Sequence, residues 1–582
     1  MIPIRSYVSL LSRYLRRVKA RMTVLAGFAL GGIALQLLLP QLIGRFIDDA
    51  IGGAATDQLI PLALWFLVVA LTRQALAIAT TWLAEDVGWR STNELRSDLT
   101  RHVLDLDMGF HKEHTPGELI ERVDGDVTAL SEFFSAFVVK VVGNGLLVMG
   151  ILILITFEHA LVGLVLSVFT LATLALMMAV QTVAIPWWKT QRASSAELMG
   201  FLGEQLSGTE DIRANGGVGF MVHTFTDILR RWLPRRVRSR LGFAMLWGTG
   251  IVHFVVGATL VMWLGTRYLG PGGLTLGGVY LIFHYTEMTR NPMDEIRSQM
   301  EVFQKAGAGI DRVTELMERR SNLDTSGTTA IPSGALSVVF DHMSFAYADD
   351  EASTVLHDID VSIAPGRVVG VLGRSGSGKS TMAKVLTRLY DPTQGRVLLG
   401  GVDPREASLH DLRRSVGMVT QDVQLFRTTV RNNLTFFDAA INDERLMSVL
   451  ADLGLSNWLD SLPNGLDTML ESGAGGLSAG QAQLLAFTRI FLKNPGLVIL
   501  DEASSRLDPA TEAMIESAVA AVIMDRTAFV IAHHLGTVAR ADDIMIIENG
   551  TVIEFGERTT LQADPTSRFS RLLASGMEEV LA

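Results

Sequence analysis

Twenty-three consecutive residues, Met22 to Gly44, carry no charge, and Arg21 and Arg45 bracket them. A helix rises about 1.5 Å per residue, so this run crosses a bilayer core of about 30 Å. Within hydrocarbon every backbone N–H and C=O of a single apolar segment must be satisfied inside that segment, which selects a helix. Five more stretches of similar character follow. Spans are expected near residues 22–46, 58–84, 136–157, 160–188, 241–267 and 273–295, with Glu158-His159 as a very short turn between the third and fourth. A hydrophobic share of 48% and a mean hydropathy of +0.31 agree with a membrane protein.

The basic residues orient these spans. Residues 1–21 hold six Lys/Arg, and Arg230–Arg240 holds six Arg. Both clusters are expected on the cytoplasmic side, which requires an even number of crossings between them; four spans satisfy this. The connections 46–57, 158–159 and 267–273 are short, whereas 85–140 and 189–240 are long, polar and helical in pattern, so long helices are expected to project into the cytoplasm. The N-terminal stretch 3–20 is basic and amphipathic and runs directly into the first span. It reads as an interfacial helix rather than a cleaved leader.

Ionisable residues inside spans are costly in lipid and face a bundle interior or a water-filled cavity. Arg73 lies in the second span and Lys140 at the edge of the third. His284, Glu287 and Arg290 are spaced i, i+3, i+6 along the sixth and are expected on one face. Two readings stand: a polar translocation surface, or a Glu287–Arg290 pair that holds helices together.

The last 262 residues have a different character. Residues 1–320 carry a net charge of +2 and residues 321–582 carry −13, which argues against a nucleic-acid surface in the second part. Cysteine is absent, so disulfides and thiolate metal sites are excluded. The apolar run Val368–Leu372 leads into Gly373, Arg374, Ser375, Gly376, Ser377, Gly378, Lys379, Ser380 and Thr381, followed by a helical pattern. This strand–loop–helix setting fits G-x-x-x-x-G-K-[ST], the phosphate-binding loop. Glycines turn backbone N–H groups inward around an anion, and the helix N-terminus adds partial positive charge. Lys379 is expected to reach the β- and γ-phosphates of ATP, and the Ser380 hydroxyl to hold Mg²⁺.

Further elements follow in order. Tyr347 precedes the loop by 26 residues; an aromatic there could stack on adenine or belong to the core of a strand. Gln421 follows a short β pattern and would ligate Mg²⁺ and touch the attacking water. Leu477-Ser-Ala-Gly-Gln481 opens a helix and suits a second anion site. Leu497–Leu500 reads as a buried strand that delivers Asp501 to Mg²⁺ and Glu502 to water as general base. His533 ends another strand and would hold the γ-phosphate.

Taken together these motifs resemble the ATP-binding cassette (ABC) transporters, specifically a half-size exporter with six spans fused to one nucleotide-binding domain. The resemblance implies an all-α transmembrane domain over residues 1–320 with long cytoplasmic helical extensions, a linker at 321–335, and an α/β P-loop NTPase domain over 336–582. It implies a dimer with a second half-transporter subunit. Tyr347, Gly373–Thr381, Gln421, Asp501, Glu502 and His533 would serve one nucleotide, Ser478, Gly480 and Gln481 the partner's, and Asp508 would couple the two. Residues 110–118 and 210–218 resemble coupling loops that dock on nucleotide-binding domains.

The departures are local. Ala479 stands where the family signature has glycine, Glu471–Gly476 lacks the usual Gly-Glu-x-Gly pattern, and Arg506 replaces a common alanine. Such drift leans towards a heterodimer. The expected function is ATP-driven export of an amphipathic compound, lipid, peptide or drug across a bacterial inner membrane. The alternatives are an importer-like member of the same fold, such as a siderophore transporter, and a non-transport ATPase regulator, against which the six spans argue.

Overall fold

The computed structural model describes residue 14 and residues 16–270, 273–347, 354–420, 423–471, 477–501, 509–531 and 538–574. The chain divides into two units. The first comprises residues up to Leu104 together with Pro116–Arg319; the second comprises Asp105–Thr115 and the chain from Arg320 onward.

The first unit is helical. Among the described residues five helical stretches are long and apolar enough to cross a membrane: Lys19–Ile51, Thr56–Asp105, Lys140–Glu158, Ala160–Ser207 and Val218–Tyr268. Those of 48 to 51 residues reach about 75 Å, more than twice a bilayer core. Each continues through the polar sequence beyond its span, so the Arg230–Arg240 cluster belongs to the same helix as the fifth span. Outward faces are apolar, with Trp65, Trp82 and Phe157 62%, 69% and 82% exposed. Such unpartnered apolar surface fits lipid or another chain rather than water.

Inside the bundle, Leu147, Ile151, Ile155, Val162, Leu166, Val261, Leu264, Ile282 and Tyr285 form one buried cluster drawn from four helices. Lipid tails are as apolar as these side chains, so close packing and hydrogen bonds between helices must hold the cluster together. Gly242 lets two long helices approach: its backbone sits against Ala184 and the Trp188 ring, and Trp188 Nε1 donates to Ser239 O at 3.2 Å. At the span edge Lys140 reaches Glu295 at 3.6 Å.

The sixth stretch carries a one-residue interruption: Leu276–Met288 ends at Thr289, and a second helix runs from Arg290 to Glu318. Pro292 has no N–H to give the carbonyl of Met288, and its ring crowds that turn, so the ladder breaks one turn upstream. Thr289 closes the gap by donating from Oγ1 to Thr286 O at 2.7 Å, while its own carbonyl accepts from Met293 N at 3.1 Å. Thr289 keeps a helical φ of −71° and ψ of −22° through the interruption. His284 Nδ1 lies 4.0 Å from Glu287, and Glu287 and Arg290 line one small cavity with His253 and Phe283.

The second unit carries two sheets. Strands β1 (Val338–Ala346), β2 (Thr354–Ile363) and β4 (Gln394–Leu399) form an antiparallel sheet in the order β2-β1-β4. Strands β3 (Val368–Leu372), β5 (Val416–Val419), β6 (Leu497–Asp501), β7 (Thr527–Ile531), β8 (Asp543–Glu548) and β9 (Thr551–Glu557) form the other, ordered β5-β6-β7-β3-β8-β9. All are parallel except β9, which returns antiparallel to β8. The buried strands β3 and β7 show no polar alternation, as a sheet covered on both faces requires. One core, around Leu446, Leu485 and Val498, lies on one side of the large sheet; the other, around Phe340, Leu386 and Phe529, fills the space to the small sheet.

Candidate active site

Strand β3 sits inside the large sheet between β7 and β8, and its C-terminal end opens the phosphate-loop sequence. Gly376 and Gly378 take φ of +77° and +107°, which an L side chain rarely adopts, and a Cβ on Gly378 would press on Leu356 Cδ2 at 2.6 Å. Gly378 caps the helix Lys379–Leu386. The loop is braced by Ser377 N donating to Arg374 O at 3.1 Å and Gly550 N donating to Ser377 O at 3.1 Å.

Lys379 is buried, and its Nζ donates to Gly373 O at 2.5 Å and to Arg374 O at 2.9 Å. Burial pushes its ammonium below the usual lysine range, and the carboxylate of Asp501 partly restores it. The buried Ser377 Oγ has no hydrogen-bond partner among the described residues. A buried hydroxyl left over beside a lysine at a helix N-terminus fits an anionic ligand such as the phosphates of ATP. Arg374, Ser375, Gly376 and Ser380 are exposed around it, while Thr381 is buried.

Asp501 reaches the same place through register. Ile531 of β7 pairs with Val371 of β3 on one side and with Asp501 of β6 on the other. Two strand spacings, about 9.6 Å of backbone, therefore separate Asp501 from Val371, two residues before the loop opens at Gly373. Both lie at the carboxyl ends of parallel strands, where open α/β sheets bind ligands. Ser380 and Asp501 are an oxygen donor pair of the kind Mg²⁺ takes.

Tyr347 follows β1 directly. Its hydroxyl lies 3.1 Å from Thr381 Oγ1, and its ring meets Phe345 and Tyr390 edge-on at 4.9 and 5.2 Å. The structure therefore joins Tyr347 to the phosphate-loop helix. Of the other expected site residues, Gln421, Glu502, Asp508 and His533 lie outside the described residues.

The signature segment opens the helix Ala479–Lys493. Ser478 Oγ accepts from Gln481 N at 3.2 Å, and Gln481 Oε1 accepts from Ser478 N at 3.0 Å, a reciprocal capping box. Ala479 is the exposed first residue of the helix, so its methyl enters no packed space. Gly480 is buried.

The site also has a neighbour in the segment that resembles the first coupling loop. Residues 105–115 belong to this second unit. Asp107 caps the short helix Met108–Glu113, accepting from Gly109 N at 2.9 Å and Phe110 N at 3.2 Å, and its other oxygen accepts from Asn322 N at 2.7 Å. Lys112 Nζ stands 4.6 Å from the centre of the Tyr347 ring. In the region that resembles the second coupling loop, the helix Thr209–Ala214 buries no side chain and ends before Gly216 at φ +70°.

Residues 22–293 match the model of the ABC transporter transmembrane region, and residues 356–505 match the model described as ABC transporter. The ATP-dependent lipid A-core flippase of Alcanivorax borkumensis is 30% identical over 484 residues, covering 82% of this chain and 81% of that one. The chain belongs to the ABC transporter family. This transporter is an ATP-hydrolysing exporter and an integral membrane protein. A second lipid A-core flippase, from Idiomarina loihiensis, is 28% identical over 94% of each chain. A bacterial Atm1-family ABC exporter structure with ATP bound shares the fold, with a TM-score of 0.78, 22% identity, and 96% and 98% of the two chains covered. The ABC transporter match over residues 356–505 implies ATP binding.

Proposed function

We propose that this transporter pairs with a second half-transporter, encloses two ATP, and alternates between inward- and outward-facing states to move a lipid-like amphipathic compound out of the cytoplasm across a bacterial inner membrane. One observation carries it: the phosphate loop and Asp501 converge at one end of a parallel sheet in a chain that also holds span-length apolar helices. Gly373–Thr381 would bind the triphosphate, with Lys379 on the β- and γ-phosphates. Tyr347 would stack on the base. Ser380, Asp501 and Gln421 would hold Mg²⁺, which when bound neutralises phosphate charge. Glu502 would take a proton from the attacking water and His533 would hold the γ-phosphate.

Ser478, Gly480 and Gln481 would face the partner's nucleotide and Asp508 would couple the two sites. A partner of different sequence is favoured by Ala479 and by Glu471–Gly476. A lipid-like cargo is supported by the two lipid A-core flippases among its relatives and by an apolar groove of about 510 Å³ in the helical unit, lined by Val148, Leu152, Thr156, Ser167, Leu171 and Ile296.

ATPase activity of the chain purified alone in lipid nanodiscs tests this, beside Glu502→Gln. Robust hydrolysis lost in the variant means a working homodimer. No hydrolysis with ATP still bound means half of a heterodimer. Near-normal hydrolysis in Glu502→Gln removes Glu502 from the base role.

A further inference from the structure

Tyr347 is held from its core side. Phe345 and Tyr390 meet its ring at interplanar angles of 84° and 89°, and both pack with the cluster around Phe340 and Leu386. The Thr381 contact fixes the far end of the ring. What remains for a soluble base is the outward side. Lys112 is an exposed residue, so its ammonium, 4.6 Å from the ring centre, approaches from that outward side. It does not arrive on a loose strand of chain: the helical turn Met108–Glu113 that carries it is anchored through Asp107 to the amides of Gly109, Phe110 and Asn322. A cation over a tyrosine face and a base stacked on that face use the same electron-rich surface.

We propose that Lys112 is a displaceable cap on Tyr347. An arriving base takes the ring face and expels the Lys112 ammonium, which loosens the turn Met108–Glu113 directly after the helix Thr56–Asp105 in the chain. Base occupancy, as distinct from phosphate occupancy, is thereby reported to that turn. This rests on the reading of Tyr347 as the base platform. Nucleotides with a purine base release the cap, and a triphosphate without a base does not.

The test uses the full chain in nanodiscs, with Mg-ATP and Mg-tripolyphosphate as probes. Lys112→Met keeps the apolar stem and removes the charge. It should tighten ATP about two- to five-fold, the equivalent of an exposed cation–π pair of about 0.5–1 kcal/mol, and leave tripolyphosphate unchanged. Lys112→Arg should bind both as the unaltered chain does. In the unaltered chain, amide exchange over residues 108–114 should rise with ATP and stay constant with tripolyphosphate. Weakened or unchanged ATP binding in Lys112→Met, or equal exchange with both probes, overturns the cap.

Tyr347→Leu separates the two ideas. If it weakens ATP about 5- to 150-fold, the stacking reading stands, and the Lys112 result alone decides the cap. If it binds ATP normally, the platform reading fails and the cap falls with it.

Discussion

Asp48 and Gly277 lie 229 residues apart in the chain, yet Gly277 N donates to Asp48 Oδ1 at 2.7 Å. The second carboxylate oxygen, Asp48 Oδ2, accepts from Thr275 Oγ1 at 2.8 Å, and Thr275 in turn caps Gly278 N at 2.9 Å. The end of the first span thus satisfies the open amides that begin the helix Leu276–Met288. Gly44 and Gly277 allow the approach, since a Cβ on Gly277 would run into the carbonyl oxygen of Gly44. Asp48→Ala is expected to cost about 1–2 kcal/mol through the lost cap, read as a lower unfolding midpoint in nanodiscs. Gly277→Leu should cost more, because it forces the two helices apart. An unchanged midpoint in both variants would show that this contact holds nothing.

Lys379 points its ammonium at the carbonyls of its own loop, 2.5 Å from Gly373 O. Replacing it with Met removes the buried positive charge of the loop, whereas the loop's other cation, Arg374, is exposed. A charge-assisted contact contributes about 1.5–3 kcal/mol, so Mg-ATP affinity should fall about 10- to 150-fold. Lys379→Arg should not restore it, because a planar guanidinium does not fit a loop built around a compact ammonium. Equilibrium binding of a fluorescent ATP analogue to the three proteins checks both expectations.

His253 is buried at the break in the sixth span. Its Nε2 lies 3.0 Å from Thr289 Oγ1, and its ring stacks on Phe169 at 5.0 Å with planes 6° apart. His253→Ala should destabilise the helical unit by about 2–4 kcal/mol through the cavity and the lost contact. His253→Phe keeps the stacked ring and leaves Thr289 its bond to Thr286 O, so its loss should be no more than about half as large. Equal losses in the two variants would assign the whole effect to the hydrogen bond.

His342 and Asp358 form an exposed pair across β1 and β2, with Nδ1 to Oδ1 at 2.8 Å. The hydrogen bond to Asp358, and then its charge, raise the imidazole above its ordinary value of 6.5. The folded chain therefore holds the proton to higher pH than the unfolded chain does. The contribution is fully present below pH 6.5 and is lost as pH rises through the raised folded value. An NMR titration should place His342 above 6.5, and Asp358→Asn should bring it back. A His342 that titrates at or below 6.5 in the unaltered chain would refute the pairing.

Much of the site was legible because its signals are contiguous. Gly373–Thr381 needs only its own glycines and the strand and helix on either side, and Asp501 follows directly from the apolar run Leu497–Leu500. The membrane spans could be read because composition over some twenty residues decides whether a helix can lie in hydrocarbon. The break at Thr289 was less plain: Pro292 is visible in the sequence, but which carbonyl it deprives, and how Thr289 closes the gap, depend on the local ladder.

What the sequence alone determined, then, is the class of each segment, since helix or strand, apolar or polar, and phosphate loop all follow from interactions among near neighbours. The tertiary structure decided the partnerships. Ile531 placed between Val371 and Asp501, Asp48 on Gly277, and Lys112 over Tyr347 each join residues far apart in the chain. No propensity or periodicity encodes such pairs, because strand order, close approach at glycine and the burial of one ring face are properties of packing.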